Sequence, residues 1–175
     1  MAKPRKGPTP EFAKAYRDLM LMGLANEMKI TKKVLAAIPD AKRDHRHDPK
    51  GRTAWELAWH LASTDVQMMD EVADHKFAME PRFKDEPKTA AELAAWYEKQ
   101  FTRAVERVRG MKPKDLLTPV DFYGAFNLPV VFYLAFVNNH SIHHRGALAT
   151  YLRPMGSKVP SIYGGSADEP WQSAA

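Results

Sequence analysis

Cysteine is absent from the 175 residues. Its absence removes disulfides, a thiol nucleophile supplied by the chain itself, and every thiolate metal site. A metal, if bound, must be held by His, Asp or Glu. Long apolar runs are missing too. The longest, Leu128 to Val137, falls far short of the roughly 20 residues that a bilayer-spanning helix needs, so no transmembrane segment is expected. The opening Met1-Ala2-Lys3-Pro4-Arg5-Lys6-Gly7-Pro8-Thr9 is basic and proline-rich with no apolar stretch behind it. It lacks the core of a secretory signal, and a cytoplasmic location is expected. There is also no glycine-rich phosphate loop, and Ser141 sits beside histidines without a Gly-x-Ser-x-Gly elbow. Serine-hydrolase and phosphate-loop chemistry are therefore not expected.

What the chain does have is the balance of a globular protein, with 45% hydrophobic and 27% charged residues. Its length suits one domain, residues 1–175, with a basic tail over 1–9 and an irregular tail over 157–175. The formal charge of +5 sits partly in Lys3, Arg5 and Lys6 and is otherwise scattered. No helix-turn-helix or aromatic RNA-binding pattern accompanies it, so nucleic acid is not an expected partner.

Four long helical patterns have readable starts. Thr9 with Pro10 opens the first, which runs to about Ala37 ahead of Pro39. Thr53 with Glu56 forms a capping box for the second, expected to reach about Ala78 before Pro81. Thr89 with Glu92 repeats the signature for the third, ending at Gly110. A fourth is expected from near Asn127, with Pro129 in its first turn, to about Leu152. Helices of this length can pack side by side, which predicts an all-α, antiparallel four-helix bundle with long connections. The stretches Ala41 to Arg52 and Met111 to Phe126 are long for bundle loops, so at least one should be a crossover or a lid. Tyr163 and Trp171 are candidates for pinning the irregular C-terminal tail to the bundle.

The chemistry lies in the histidines. His140 and His144 are four apart on the fourth helix and can present their rings on one face. They lie roughly 20° from the centre of the apolar positions Tyr133, Phe136, Val137, Ala147, Leu148 and Tyr151, whereas His143 lies roughly 80° away. The inward pair is therefore His140 and His144. A metal and a pair of hydrogen-bonded core histidines both fit that spacing; two neutral imidazoles in an apolar core would need several ring-nitrogen partners. His60 falls on a polar stripe of the second helix with Glu56, Ser63, Thr64, Gln67, Asp70, Glu71 and Asp74. Periodicity allows that stripe to face either solvent or a cleft. His45 and His47 read as solvated loop histidines, and His75 has no partner at useful spacing.

The segment Asn139-His140-Ser141-Ile142-His143-His144-Arg145-Gly146, followed by Tyr151-Leu152-Arg153-Pro154-Met155-Gly156, resembles the C-terminal signature of the DinB-like family (DinB/YfiT type). These are damage-inducible, metal-binding four-helix proteins. Lys158-Val159-Pro160-Ser161-Ile162-Tyr163-Gly164 continues the likeness, and Thr53-Ala54-Trp55-Glu56-Leu57-Ala58-Trp59-His60 is similar to the family's helix-two motif. The resemblance implies that His60, His140 and His144 together bind one divalent ion; zinc, nickel, iron and copper all suit three imidazoles. It also implies a metal-dependent transferase or isomerase using a low-molecular-weight thiol as cosubstrate on a small-molecule substrate, and self-association as a homodimer. A non-catalytic metal-binding protein, with a structural or sensory ion, is the alternative. Ala147 stands where the family usually has glutamine, which separates the metal from any particular activity. Arg145, next to a ligand, is expected either to orient an anionic group or to form a surface ion pair.

Overall fold

In a computed structural model of the protein, residues 7–171 are described; Lys3, Arg5 and Lys6 lie outside them. Four helices dominate: α1 (Pro10–Ala36), α2 (Ala54–Asp74), α3 (Ala90–Arg109) and α4 (Tyr133–Leu152). Their starts come from side-chain capping. Thr9 accepts a hydrogen bond from the Phe12 amide, and both Thr53/Glu56 and Thr89/Glu92 close reciprocal capping boxes. Each satisfies amides that a helix start otherwise leaves unpaired, worth about 1 kcal/mol apiece.

Contacts between side chains fix the helix directions. Arg17 reaches the Met111 carbonyl while Lys32 pairs with Glu98, so α1 and α3 are antiparallel. His60 meets His140 and the Tyr151 hydroxyl meets the Arg52 carbonyl, so α2 and α4 are antiparallel as well. Tyr16 packs on Phe132 while Thr31 meets Ser141, and Asp65 meets Tyr97 while Asp70 meets Arg103. The α1/α4 and α2/α3 neighbours therefore run parallel. The order is up-down-down-up, which requires one connection to traverse the length of the bundle. That connection is the segment 75–89: Gln67 binds the Ala78 and Glu80 carbonyls, and Trp55 donates to Glu86 near the start of α2.

Three sequence expectations are thereby corrected. The second helix stops at Asp74 rather than near Ala78, because His75 takes a left-handed conformation (φ 55°) and Pro81 and Pro87 keep the next stretch of chain out of helix. The crossover is this segment, and neither Ala41 to Arg52 nor Met111 to Phe126. The fourth helix begins at Tyr133, not near Asn127. The residues before it form an antiparallel hairpin, β1 (Pro119–Phe122) with β2 (Phe126–Pro129), in register Val120 to Leu128. Its turn uses left-handed backbone at Tyr123 (φ 54°) and Gly124 (φ 74°). A left-handed glycine costs little and a left-handed tyrosine does not, so the turn is held from outside. Tyr133 supplies part of that hold: its hydroxyl donates to the Val120 carbonyl at 2.7 Å and accepts from the Leu128 amide.

The core is the interior of the bundle, with Leu21, Leu24, Leu61, Val66, Leu93, Phe101, Leu134 and Leu148 at 0–1% exposure. In the C-terminal tail Tyr163 does pin the chain, bonding Glu27 and Arg145, but Trp171 is 77% exposed and pins nothing. No described helix is long and apolar enough to cross a membrane.

Candidate metal centre

Antiparallel packing of α2 on α4 brings His60 opposite His140 and His144. The ring centroids lie 5.2 Å (His60 to His140), 4.6 Å (His60 to His144) and 4.4 Å (His140 to His144) apart. One nitrogen from each ring falls within 4.8 Å of the others, and the Nε2 atoms of His60 and His140 are 3.4 Å apart. Tetrahedral coordination with metal–nitrogen bonds of 2.0–2.1 Å sets ligand nitrogens about 3.3 Å apart. The donor set and its spacing fit a divalent ion.

The groups behind the rings favour the same use. Asp65, fully buried, lies 2.7 Å from His140 Nδ1, and its other oxygen accepts from the Tyr97 hydroxyl at 3.0 Å. With Nδ1–H donating to this carboxylate, the His140 Nε2 lone pair is free and aimed at the cluster. Thr64 sits 3.3 Å from His60 Nδ1 and holds that ring. The two Nε2 atoms face each other at 3.4 Å, where a cation would take a lone pair from each.

Electrostatics keep two of the rings neutral. Burial pushes His60 down to about 4, with Arg52 and His140 adding to the effect. Burial likewise pushes His144 down to about 3, helped by His140 and His60. Burial raises Asp65 above the usual carboxylate value, against the pull of its bond with His140. Since neutral imidazole is the ligand form, His60 and His144 are ready to bind across the neutral range.

The histidines open onto two joined cavities. One, about 470 Å³, lies between α2, α4 and the hairpin and is bordered by all three ligand candidates. The other, about 420 Å³, runs along the polar stripe of α2 beneath the crossover and touches His60 alone of the three. The stripe therefore faces a cleft, which the periodicity of α2 left undecided. Met111 to Phe126 does contain a lid, since the hairpin contributes Phe122 and Tyr123 to the cavity wall.

The remaining candidates fall elsewhere. His143 is exposed at the edge of the hairpin-side cavity. Arg145 is neither an anion-orienting group at the cleft nor a surface pair. It is 1% exposed and points to α1, where it pairs with Glu27 at 2.6 Å and donates to Thr31. Ser141 is buried against Thr31 on that same side. His47 is exposed and stacks on Tyr151, whereas His45 is half-buried, and His75 binds the Asp115 carbonyl. Ala147 packs against the core and borders neither cavity. Sequence reasoning missed Asp65, Phe122 and Tyr123. The signal for Asp65 was an acid on the apolar side of α2, among Leu61, Ala62 and Val66, where a carboxylate needs a partner. Tyr123-Gly124 was the turn signal for the hairpin.

Comparison with known proteins agrees with this architecture. The family model of the DinB superfamily matches residues 24–148. The Bacillus subtilis (strain 168) protein YrdA is 24% identical over 153 residues, covering 87% of this chain and 90% of that protein. Among solved structures, a DinB-like protein from Bacillus cereus ATCC 10987 has a TM-score of 0.70 at 28% identity, covering 82% of this chain and 95% of the other. The DinB-like protein YjoA of Bacillus subtilis has 0.69 at 16% identity, covering 82% and 97%, a likeness of fold. The family match spans α2, the hairpin and the histidines of α4, and the chain belongs to the DinB superfamily.

Proposed function

We propose that His60, His140 and His144 hold one divalent metal ion, and that the protein uses it to transfer a low-molecular-weight thiol onto an electrophilic small molecule. The observation that carries this reading is three imidazoles converging at the floor of an open cleft, with Asp65 and Thr64 orienting two of them. Three protein ligands leave coordination positions free, as catalytic metal sites do and closed structural sites do not. A divalent ion bound there supplies Lewis acidity that lowers the pKa of a coordinated thiol or water into the neutral range. With no cysteine in the chain, the sulfur must come from a cosubstrate.

The protein's own part is placement. Asp65, anchored by Tyr97, holds His140 in one tautomer and one orientation. Phe122 and Tyr123 line the hairpin side of the cavity beside the cluster. In the overall reaction the thiol proton goes to solvent, the sulfur forms a bond to the electrophilic carbon, and the pair of the broken carbon bond leaves with the departing group. Zinc, nickel and iron all suit the donor set.

The test is elemental analysis of protein purified without an affinity tag, followed by assays of thiol consumption with a panel of electrophiles and several thiols. One metal per chain and metal-dependent thiol loss are expected. Metal-loaded protein that consumes none of the thiols would leave a non-catalytic metal protein. Unchanged metal content in His60→Ala would remove the triad itself.

A further inference from the structure

The two cavities share His60, Thr64, Met68 and Tyr123, so they meet beside the histidine cluster and part on either side of Tyr123. Their walls differ in kind. On the hairpin side, Phe122 and Phe136 stand 5.7 Å apart between ring centroids, with Met68 and Tyr123 completing an apolar wall. This wall is built rather than incidental. Phe122 also packs on Phe77 (5.0 Å) and stacks on Tyr133 (5.5 Å), the residue that ties both strands down.

The α2 side carries carboxylates, which the hairpin side lacks. Ser63, Gln67, Glu56, Glu71 and Glu86 border it along with Trp59, Met79 and Phe83, and no lysine or arginine is in its lining. Glu71 is 1% exposed, its Oε1 accepts from Gln67 and the Ala78 amide, and its Oε2 has no hydrogen-bond partner. A buried carboxylate oxygen without a donor is costly, so this end of the cleft is short of one donor. Tyr123 holds the partition between the two sides: its hydroxyl donates to the Ala78 carbonyl at 3.2 Å, which ties the hairpin to the crossover.

We infer that the cleft divides its two substrates at Tyr123. The hairpin lobe takes the apolar, ring-sized group of the electrophile, and the α2 lobe takes the donor-bearing body, hydroxyl or amine, of the thiol. Both lobes are within the size range of small-molecule sites, and each favours its own ligand. A polar body would lose its hydrogen bonds against Phe122 and Phe136, and an anionic thiol would meet the carboxylates of α2. This division rests on the metal-dependent transferase reading and specifies its substrates.

The test is calorimetric titration of the metal-loaded protein with two probe series. Imidazole against phenylimidazole reads the hairpin lobe. Phenylimidazole should bind about tenfold tighter, the gain expected from burying one ring on an apolar wall, and Phe136→Ala should remove most of the gain while leaving imidazole unchanged. Mercaptohexanol and aminohexanethiol against mercaptohexanoate read the α2 lobe. The first two should bind about tenfold tighter than the acid, and Glu71→Gln should narrow the difference. The wild-type ratios stand without either variant. A phenyl group that adds nothing overturns the hairpin lobe, and equal affinity for the three thiols overturns the α2 lobe. Failure of imidazole itself to bind removes the metal reading and the division with it, a result distinct from the other two.

Discussion

The polar stripe of α2 has two halves with opposite fates. Its first half, from Glu56 to Gln67, borders an open cleft and carries His60, whose Nε2 faces the His140 Nε2 at 3.4 Å. Its second half, from Asp70 to Asp74, is covered by guanidinium groups. Asp70, 1% exposed, receives Arg103 and Arg107 at 2.6 Å and Arg82 at 3.5 Å, while Asp74 binds Arg82 and Arg107. The residues repeat with one period on one helix, yet His60 is left open to a ligand while Asp70 and Asp74 are ion-paired, and Glu71 between them still faces the cleft. The difference comes from what is packed opposite. Beside the second half, α3 and the crossover bring cations of complementary charge. Opposite the first, α4 brings two more imidazoles, which complete a donor set for a cation.

Removing His60 separates the halves most sharply. His60→Ala should abolish stoichiometric metal binding, read by elemental analysis after dialysis, because two remaining ligands make a weak site; the unfolding midpoint of the metal-free protein should change little. Asp70→Ala should do the reverse. Loss of the buried carboxylate that gathers Arg103 and Arg107 should cost about 1–2 kcal/mol in urea unfolding, with metal content intact. Equal effects of both variants on metal content would merge the two halves into one network. Asp65→Asn sharpens the picture within the first half. It should weaken metal affinity by about 10–100-fold in a chelator competition without lowering the number of ions bound at saturation.

A pH series gives a smaller effect. His60 and His144 are held at about 4 and about 3, below the ordinary 6.5, so the unfolded chain takes up protons before the folded one does. Metal-free protein should therefore lose stability as pH falls from 6.5 toward 4, and His144→Gln should flatten that slope in thermal melts at pH 7 and pH 5. The smallest effect belongs to His143→Ala, which should leave metal content and affinity unchanged, since His143 lies outside the converging set.

Much of this was open to reading before any tertiary contact was known. Thr9, Thr53 and Thr89 marked three helix starts because a capping hydroxyl and the amide it bonds lie three residues apart, and such signals are complete within one turn of chain. The choice of His140 and His144 over His143 was equally local, a matter of angle around one helix. The hairpin was lost to a helical reading because Leu128 to Val137 is apolar throughout, and a short apolar run carries no period of its own. The crossover at 75–89 was missed for a related reason: nothing in a proline-interrupted loop states how far it must travel.

His60 marks the boundary between the two kinds of information. The sequence by itself determined that the chain would form four helices, three of them with capped starts, that any metal ligand must be an imidazole or a carboxylate, and that two imidazoles would point inward from the last helix. Only the tertiary structure decided that the stripe of α2 faces a cleft, that Asp65 stands behind His140, and that the hairpin closes one side. Those facts depend on which helices become neighbours and in which direction they run. Side-chain periodicity records only that a face is polar; the element packed against that face determines whether its groups are neutralised, solvated or left to bind something else.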